Sequence, residues 1–280
     1  MRSIVSKKWV LARLYEPDLV IVDCRFKLGE PDAGRTAYEE SHLPRAVYLD
    51  LERDLSGPVG PHGGRHPLPD LNTLAATVSK AGIGNDTRVV AYDDQGGAMA
   101  SRLWWLLRYM GHDRVFVMDE GFSAWKRDGY PLTSETPVVV PAVFQASPRP
   151  EMLADVGEVR SKLGKADTVL VDSREPVRYR GESEPIDRIA GHIPGARNKF
   201  WRNVLDDEGR FLPAERLSER FADLAADSER EIIVYCGSGV TACPNVLALE
   251  EAGFRRVKLY AGSWSDWISY ADNPIAKGEG

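Results

Sequence analysis

With 280 residues, 43% of them hydrophobic and 28% charged, the chain has the composition of an ordinary globular protein and is long enough for two domains. A net charge of −6 leaves no footprint for nucleic acid, and no run is long enough to span a membrane. Three cysteines are too few for a disulfide framework or a zinc cluster and point to a reducing cytoplasm; the first eighteen residues lack the apolar stretch of a secretory signal.

In chain order, residues 19–25 (LVIVDCR) form the first β-branched run and 41–46 (SHLPRA) the first turn-like segment. A loop at 62–69 (HGGRHPLP) precedes a second apolar run at 87–93 (TRVVAYD), a helical stretch over 98–109 and a third run at 114–121 (RVFVMDEG). Prolines at 131, 137, 141, 148 and 150 then mark residues 131–150 as an extended linker laid over the surface. After it the same landmarks return in the same order: 168–174 (TVLVDSR), 191–196 (GHIPGA), 230–236 (REIIVYC) and 256–262 (RVKLYAG). Helical stretches are expected over 214–224 and 241–251. Residues 272–280 read as a short polar tail. The chain is an internal duplication, expected as domains over 1–135 and 151–280 with a linker over 136–150. Each apolar run is continuous rather than alternating, which suits a parallel strand covered on both faces. Strand–helix alternation in both halves predicts two open, mainly parallel α/β sheets with helices on both faces.

The halves differ where chemistry is expected. Residues 231–243 (EIIVYCGSGVTAC) read as a buried strand running into a tight loop whose first residue is Cys236. In open α/β sheets, sites sit beyond the carboxyl ends of the strands, where Cys236 falls. Gly237 and Gly239 let the backbone fold closely around the sulfur, and Thr241 is placed to cap the following helix. A cysteine ahead of a helix and ringed by backbone N–H groups sits in a positive field, which favours thiolate, the nucleophilic form. The first half has Asp93 at the matching strand end, followed by a loop without a nucleophile. One half therefore carries the chemistry.

The paired Val-Asp-x-Arg and His-(Ile/Leu)-Pro-x-Ala segments, the loop 236–241 (CGSGVT) and 260–267 (YAGSWSDW) resemble the tandem-domain rhodanese family of sulfurtransferases over nearly the whole chain. The resemblance implies ping-pong transfer: Cys236 takes a sulfane sulfur from a donor as a persulfide and passes it to cyanide, a small thiol or a reduced protein dithiol. No metal or organic cofactor is needed. The family's thiosulfate branch usually has a basic residue just after the cysteine. The neutral Gly237-Ser238-Gly239, continued by Val240 and Thr241, is more similar to the 3-mercaptopyruvate branch. That branch implies Arg178 as the residue holding the substrate carboxylate, a task suited to a bidentate guanidinium. Arg188 is the nearest candidate for its second arginine. It also links Ser238 to His66 and to a carboxylate that falls at Glu52, where aspartate is more usual.

Other residues have plainer readings. Cys24 is expected in or near the core, Cys243 to point along its helix away from the loop mouth rather than to act as a resolving thiol, His42 and His192 to anchor their turns, Trp104 and Trp105 to fill the core, and Trp264 and Trp267 to pack beneath the loop at Cys236. Trp201 is a candidate pocket wall. A cysteine phosphatase would need an arginine six residues after the nucleophile, and position 242 is alanine. Two alternatives stay open: a thiosulfate-preferring enzyme, and a carrier or binding module that accepts persulfide without turnover.

Overall fold

The continuous apolar runs become the inner strands of two all-parallel sheets. The computed structural model describes residues 2–224 and 230–279. In the first half, β1 (Ile4–Val5), α1 (Lys7–Arg13), β2 (Leu19–Asp23), α2 (Ala33–Glu40), β3 (Val47–Tyr48), α3 (Leu71–Lys80), β4 (Arg88–Tyr92), α4 (Ala98–Tyr109), β5 (Val115–Met118) and α5 (Gly121–Arg127) follow one another. In the second, β6 (Leu153–Ala154), α6 (Val156–Lys162), β7 (Thr168–Asp172), α7 (Pro176–Tyr179), β8 (Arg197–Asn198), α8 (Ala214–Arg220), β9 (Glu231–Tyr235), α9 (Cys243–Glu251), β10 (Val257–Tyr260) and α10 (Ser263–Trp267) repeat the series. The sheet orders are β1-β5-β4-β2-β3 and β6-β10-β9-β7-β8, the same topology twice. Even the register repeats: Asp23 pairs with Tyr92, and Asp172 with Tyr235.

Side chains alternate between sheet faces, which explains the unbroken hydrophobic runs. In the first half Ile21, Val90, Tyr92, Phe116 and Met118 pack with Val10, Tyr38 and Trp125 on one face. Their strand neighbours Val89, Ala91, Val115 and Val117 are equally buried on the other, where α4 lies against β4 and β5 with Trp104 and Trp105 inaccessible. In the second half Ile233, Tyr235 and Tyr260 share a core with Trp264 and Trp267.

The repeated motifs are structural staples. Arg25 donates from Nε and Nη2 to Asp23, and from Nη2 to the Ser41 carbonyl at 2.7 Å. Arg174 does the same to Asp172 and to the Gly191 carbonyl at 2.7 Å. Each arginine thus ties a strand end to the turn that carries His42 or His192. Those histidines stack on Tyr38 and Tyr179, and each bridges to a later segment, at Thr133 and Ala276 respectively. The expectation of a patternless tail over 272–280 gives way here. Ala276 pairs with His192, the Gly278 N–H donates to the Arg180 carbonyl at 3.0 Å, and the Pro274 carbonyl accepts from the Trp267 indole.

The chain divides into two compact units. The first comprises Met1–Gly57, Pro69–Arg149 and Asp207–Phe211; the second comprises Pro58–Leu68, Pro150–Asp206 and Leu212–Gly280. Residues of the proline-rich stretch run along the first unit: the Ala142 N–H donates to the Ser79 carbonyl and the Ser147 N–H to the Met110 carbonyl. Segment 58–68 comes from the first half of the sequence yet belongs to the second unit. No helix among the described residues is long and apolar enough to cross a membrane.

Candidate active site

Cys236 is the first residue beyond β9 and is 1% exposed. Its backbone is held from both sides. Its N–H donates to Ser263 Oγ at 3.1 Å, and its carbonyl accepts the Trp264 N–H at 3.0 Å. The next carbonyl, Gly237, accepts the Ser265 N–H at 2.9 Å. The loop is thereby clamped to the turn between β10 and α10. Gly239 has φ +75°, and a Cβ there would stand 2.1 Å from the Ala261 carbonyl oxygen, so only glycine fits. The helix starts two residues later than expected, at Cys243, with Ala242 in the cap position and no side-chain cap. Thr241 therefore does not cap it. Pro244 in the first turn has no N–H to satisfy, which lessens the need for a cap. Cys243 is fully buried and its thiol donates to the Gly239 carbonyl at 3.4 Å, within the base of the loop. Cys24 is buried too, and burial pushes its thiol well above the ordinary range.

Two polar groups named from the sequence meet at this loop. Ser238 Oγ lies 2.8 Å from His66 Nδ1, and both residues are buried. His66 arrives on the 58–68 segment, which is fastened to the β10–α10 turn. The Gly63 N–H donates to Asp266 at 2.7 Å and the Arg65 N–H to Ser265 Oγ at 3.1 Å. Glu52 is exposed and belongs to the first unit. Arg178, at the C-terminal end of α7, is also present: its Nη2 would lie 3.6 Å from a Cβ on Gly237. It is held by Glu184 through Nε at 3.0 Å and by Asp187 through Nη2 at 3.0 Å. Burial pushes Glu184 up, but the Arg178 hydrogen bond and two backbone N–H groups outweigh it and leave the carboxyl below its usual range.

Arg188 points elsewhere, donating from Nη2 to the Ile268 carbonyl at the end of α10. The residue that approaches the loop from this stretch is its neighbour Asp187, whose Oδ2 would lie 3.7 Å from a Cβ on Gly237. A step of one residue along an irregular segment turns the side chain to another side. Arg65, which sequence reasoning missed, stands nearer than either, with Nη2 2.8 Å from that Cβ position. The loop is neutral along the chain, but it is not neutral in space. Trp201 is buried in a short 3-10 turn packed against α9, with its N–H donating to the Ser173 carbonyl. A separate cavity of about 500 Å³ in the second unit is lined in part by Tyr179, Arg197, Lys199 and Asp223, and its lining includes none of the residues gathered at Cys236.

The matching loop of the first unit shows what such a cradle holds. Asp93 occupies the position of Cys236, and its carboxylate accepts four backbone N–H groups: Gln95 and Gly97 on Oδ1 at 2.8 and 2.9 Å, and Met99 and Ala100 on Oδ2 at 2.7 and 3.0 Å. The Asp93 carbonyl accepts the Phe122 N–H, the counterpart of the bond from Trp264 to Cys236. Strand end, loop and helix start thus form a nest of donors in the first unit, filled by a side chain of its own. The second unit has the shorter side chain of Cys236 at the same place.

A family model for the rhodanese-like domain matches residues 6–128 and again 155–270. The chain belongs to the rhodanese family. It is 46% identical over 280 residues to a Pseudomonas aeruginosa protein named "Probable 3-mercaptopyruvate sulfurtransferase", covering 99% of both chains. It is 35% identical over 281 residues to rat thiosulfate sulfurtransferase, covering 96% of this chain and 93% of that one. Among solved structures, the Escherichia coli 3-mercaptopyruvate sulfurtransferase SseA superposes with a TM-score of 0.83 at 31% identity, over 95% of this chain and 100% of that one. Tandem rhodanese repeats account for the duplicated topology and for the divergence of Asp93 from Cys236.

Proposed function

We propose that this protein is a sulfurtransferase in which Cys236 carries a sulfane sulfur from 3-mercaptopyruvate to a thiophilic acceptor. The observation that carries the reading is the contrast between the two units. In one, the nest beyond the central strand is filled by the Asp93 carboxylate; in the other, the same place holds Cys236, with Ser238, His66 and Arg178 gathered round it. Backbone N–H donors gathered in this way can also hydrogen-bond the negative terminal sulfur of a persulfide.

In the first half-reaction the Cys236 thiolate attacks the donor sulfur and an S–S bond forms. The donor's C–S bond breaks and its electron pair leaves as the enolate of pyruvate. The Ser238 hydroxyl, hydrogen-bonded to His66, is placed to supply or relay the proton that this enolate takes up. Arg178 holds the carboxylate, exchanging part of its contact with Asp187 for the substrate. In the second half-reaction an acceptor such as cyanide, a small thiol or a reduced dithiol attacks the outer sulfur. The S–S bond breaks and the Cys236 thiolate returns.

Intact-mass measurement after donor treatment tests this reading. Wild-type protein should gain one sulfur, and Cys236→Ser should gain none and lose turnover. Turnover retained by Cys236→Ser would refute it. Donor excess that loads sulfur without multiple turnovers in the presence of acceptor would identify a carrier instead.

A further inference from the structure

We infer that Arg65 is a donor-binding residue: it grips the oxyanion end of the sulfur donor above the Cys236 loop, and Asp187, on the other amino group of the same guanidinium, is the internal carboxylate that competes with the donor for that cation. The inference rests on the assignment of Cys236 as the sulfur carrier.

The first observation is position. Of the atoms around Gly237, the residue next to the nucleophile, Arg65 Nη2 is the nearest to where a Cβ would stand, at 2.8 Å. A Cβ there would push the guanidinium aside, so Gly237 leaves it room to lie over the loop. The second is construction. Arg65 is anchored through its N–H to Ser265 Oγ, and the flanking Gly63 N–H through Asp266. Gly64 between them has φ +79°, and a Cβ there would stand 2.4 Å from the Gly262 carbonyl oxygen. The next residue, His66, bonds Ser238. The segment is docked on the turn that also clamps Cys236, so the cation is part of the site's framework.

The third observation is how the guanidinium is used. Nη1 pairs with Asp187, whereas Nε is buried without a hydrogen-bond partner. Nε and Nη2 form the side edge of the guanidinium, the edge that Arg25 and Arg174 both use to hold carboxylates here. In Arg65 the Nη2 end of that edge lies at the loop, and its Nε is unspent. Arg178, by contrast, has both Nε and Nη2 engaged. A carboxylate or a sulfonate could take the side edge of Arg65 bidentately. Asp187 sits between the two arginines with its side chain 4% exposed, and burial pushes its carboxyl up against the pull of Arg65. An incoming oxyanion on the other edge of Arg65 competes with Asp187 for the same positive charge. The ligand chemistry is therefore an oxyanion one to three bonds from the transferable sulfur, a carboxylate in 3-mercaptopyruvate or a sulfonate in thiosulfate.

The test is steady-state kinetics of wild type, Arg65→Ala, Arg65→Lys and Asp187→Asn with each donor and cyanide as acceptor, beside Cys236→Ser as a control. Arg65→Ala should lose roughly ten- to a hundred-fold in kcat/KM, mainly through KM. Arg65→Lys should recover only part of this, because a point charge does not replace a fork. Asp187→Asn should lower KM. A loss confined to mercaptopyruvate assigns the carboxylate to Arg65, and a loss confined to thiosulfate assigns the sulfonate. Arg65→Ala within about two-fold of wild type for both donors would overturn the inference. If Arg65→Ala fails to fold, an Asp187→Asn enzyme whose KM is unchanged or raised overturns it equally. Neither result touches the Cys236 assignment, which stands or falls with persulfide formation in wild type and its loss in Cys236→Ser.

Discussion

Arg178 is proposed to hold a donor carboxylate, and a charge-assisted hydrogen bond of this kind contributes about 1.5–3 kcal/mol. Arg178→Ala should therefore cost roughly ten- to a hundred-fold in kcat/KM with 3-mercaptopyruvate. Alkylation of Cys236 by iodoacetamide should change little, because Arg178 is proposed to act on the donor; unchanged mercaptopyruvate kinetics would remove it from the site. Asp93 gives a prediction of a different kind. Burial pushes its carboxyl up, and the four N–H groups pull it only partly back, so it ends above the ordinary aspartate range. The folded protein thus binds this proton more tightly than the unfolded chain. Its contribution to stability is fully present below the unfolded value and is lost as pH rises through the folded one. Asp93→Asn removes that dependence and turns an amide donor toward two of the four N–H groups, which should cost about 2–4 kcal/mol. Chemical denaturation of both proteins from acid to neutral pH checks this: the gap in stability between them should narrow as pH rises, and a widening gap would contradict it.

At the scale of elements, the decisive piece is the loop from β9 to α9. Its shape is imposed by the β10–α10 turn, which accepts and donates hydrogen bonds at Cys236 and Gly237 and crowds Gly239. Gly239→Ala places a methyl group against the Ala261 carbonyl at a positive φ, so the loop must move. Strain at such a position costs about 1–3 kcal/mol, and displacement of the sulfur should cost more in turnover than in stability. Thermal unfolding and kcat measured together would show it: a lowered midpoint with full turnover would mean that the loop tolerates the shift.

For the whole molecule, the notable fact is that the second unit is not made from the second half of the sequence alone. Segment 58–68 supplies Arg65 and His66 to it. Gly64 is the hinge on which that placement depends, being left-handed and pressed on Gly262. Gly64→Ala should lower kcat/KM by at least as much as loss of the Ser238–His66 contact in His66→Ala, with a smaller effect on unfolding than any core substitution. Equal kinetics for Gly64→Ala and wild type would show that the segment's path is not constrained at that point.

The duplication, the parallel sheets and the place of Cys236 at a strand end were legible in the sequence because each rests on local information. Continuous β-branched runs report strands covered on both faces, and a cysteine set between a strand and glycines is read directly from spacing. Helix 98–109 was legible end to end for the same reason, whereas Thr241 was not a cap because the start of α9 is set by Pro244 and by the turn packed against the loop. The polar tail looked empty because its partner, His192, lies far away in the chain. The electrostatics of the site was the least legible part. Counting residues after Cys236 makes the loop neutral, but a guanidinium acts through space, and Arg65 reaches Gly237 from 172 positions away in the sequence while Arg188, so much nearer to the motif, turns to Ile268. Sequence by itself determined that a cysteine stands at the end of the central strand ahead of two glycines, since that depends on one side chain and its immediate backbone. Only the tertiary structure decided which charges face it, because Coulomb interactions and hydrogen bonds depend on distance in space, and folding brings together segments that the chain keeps apart.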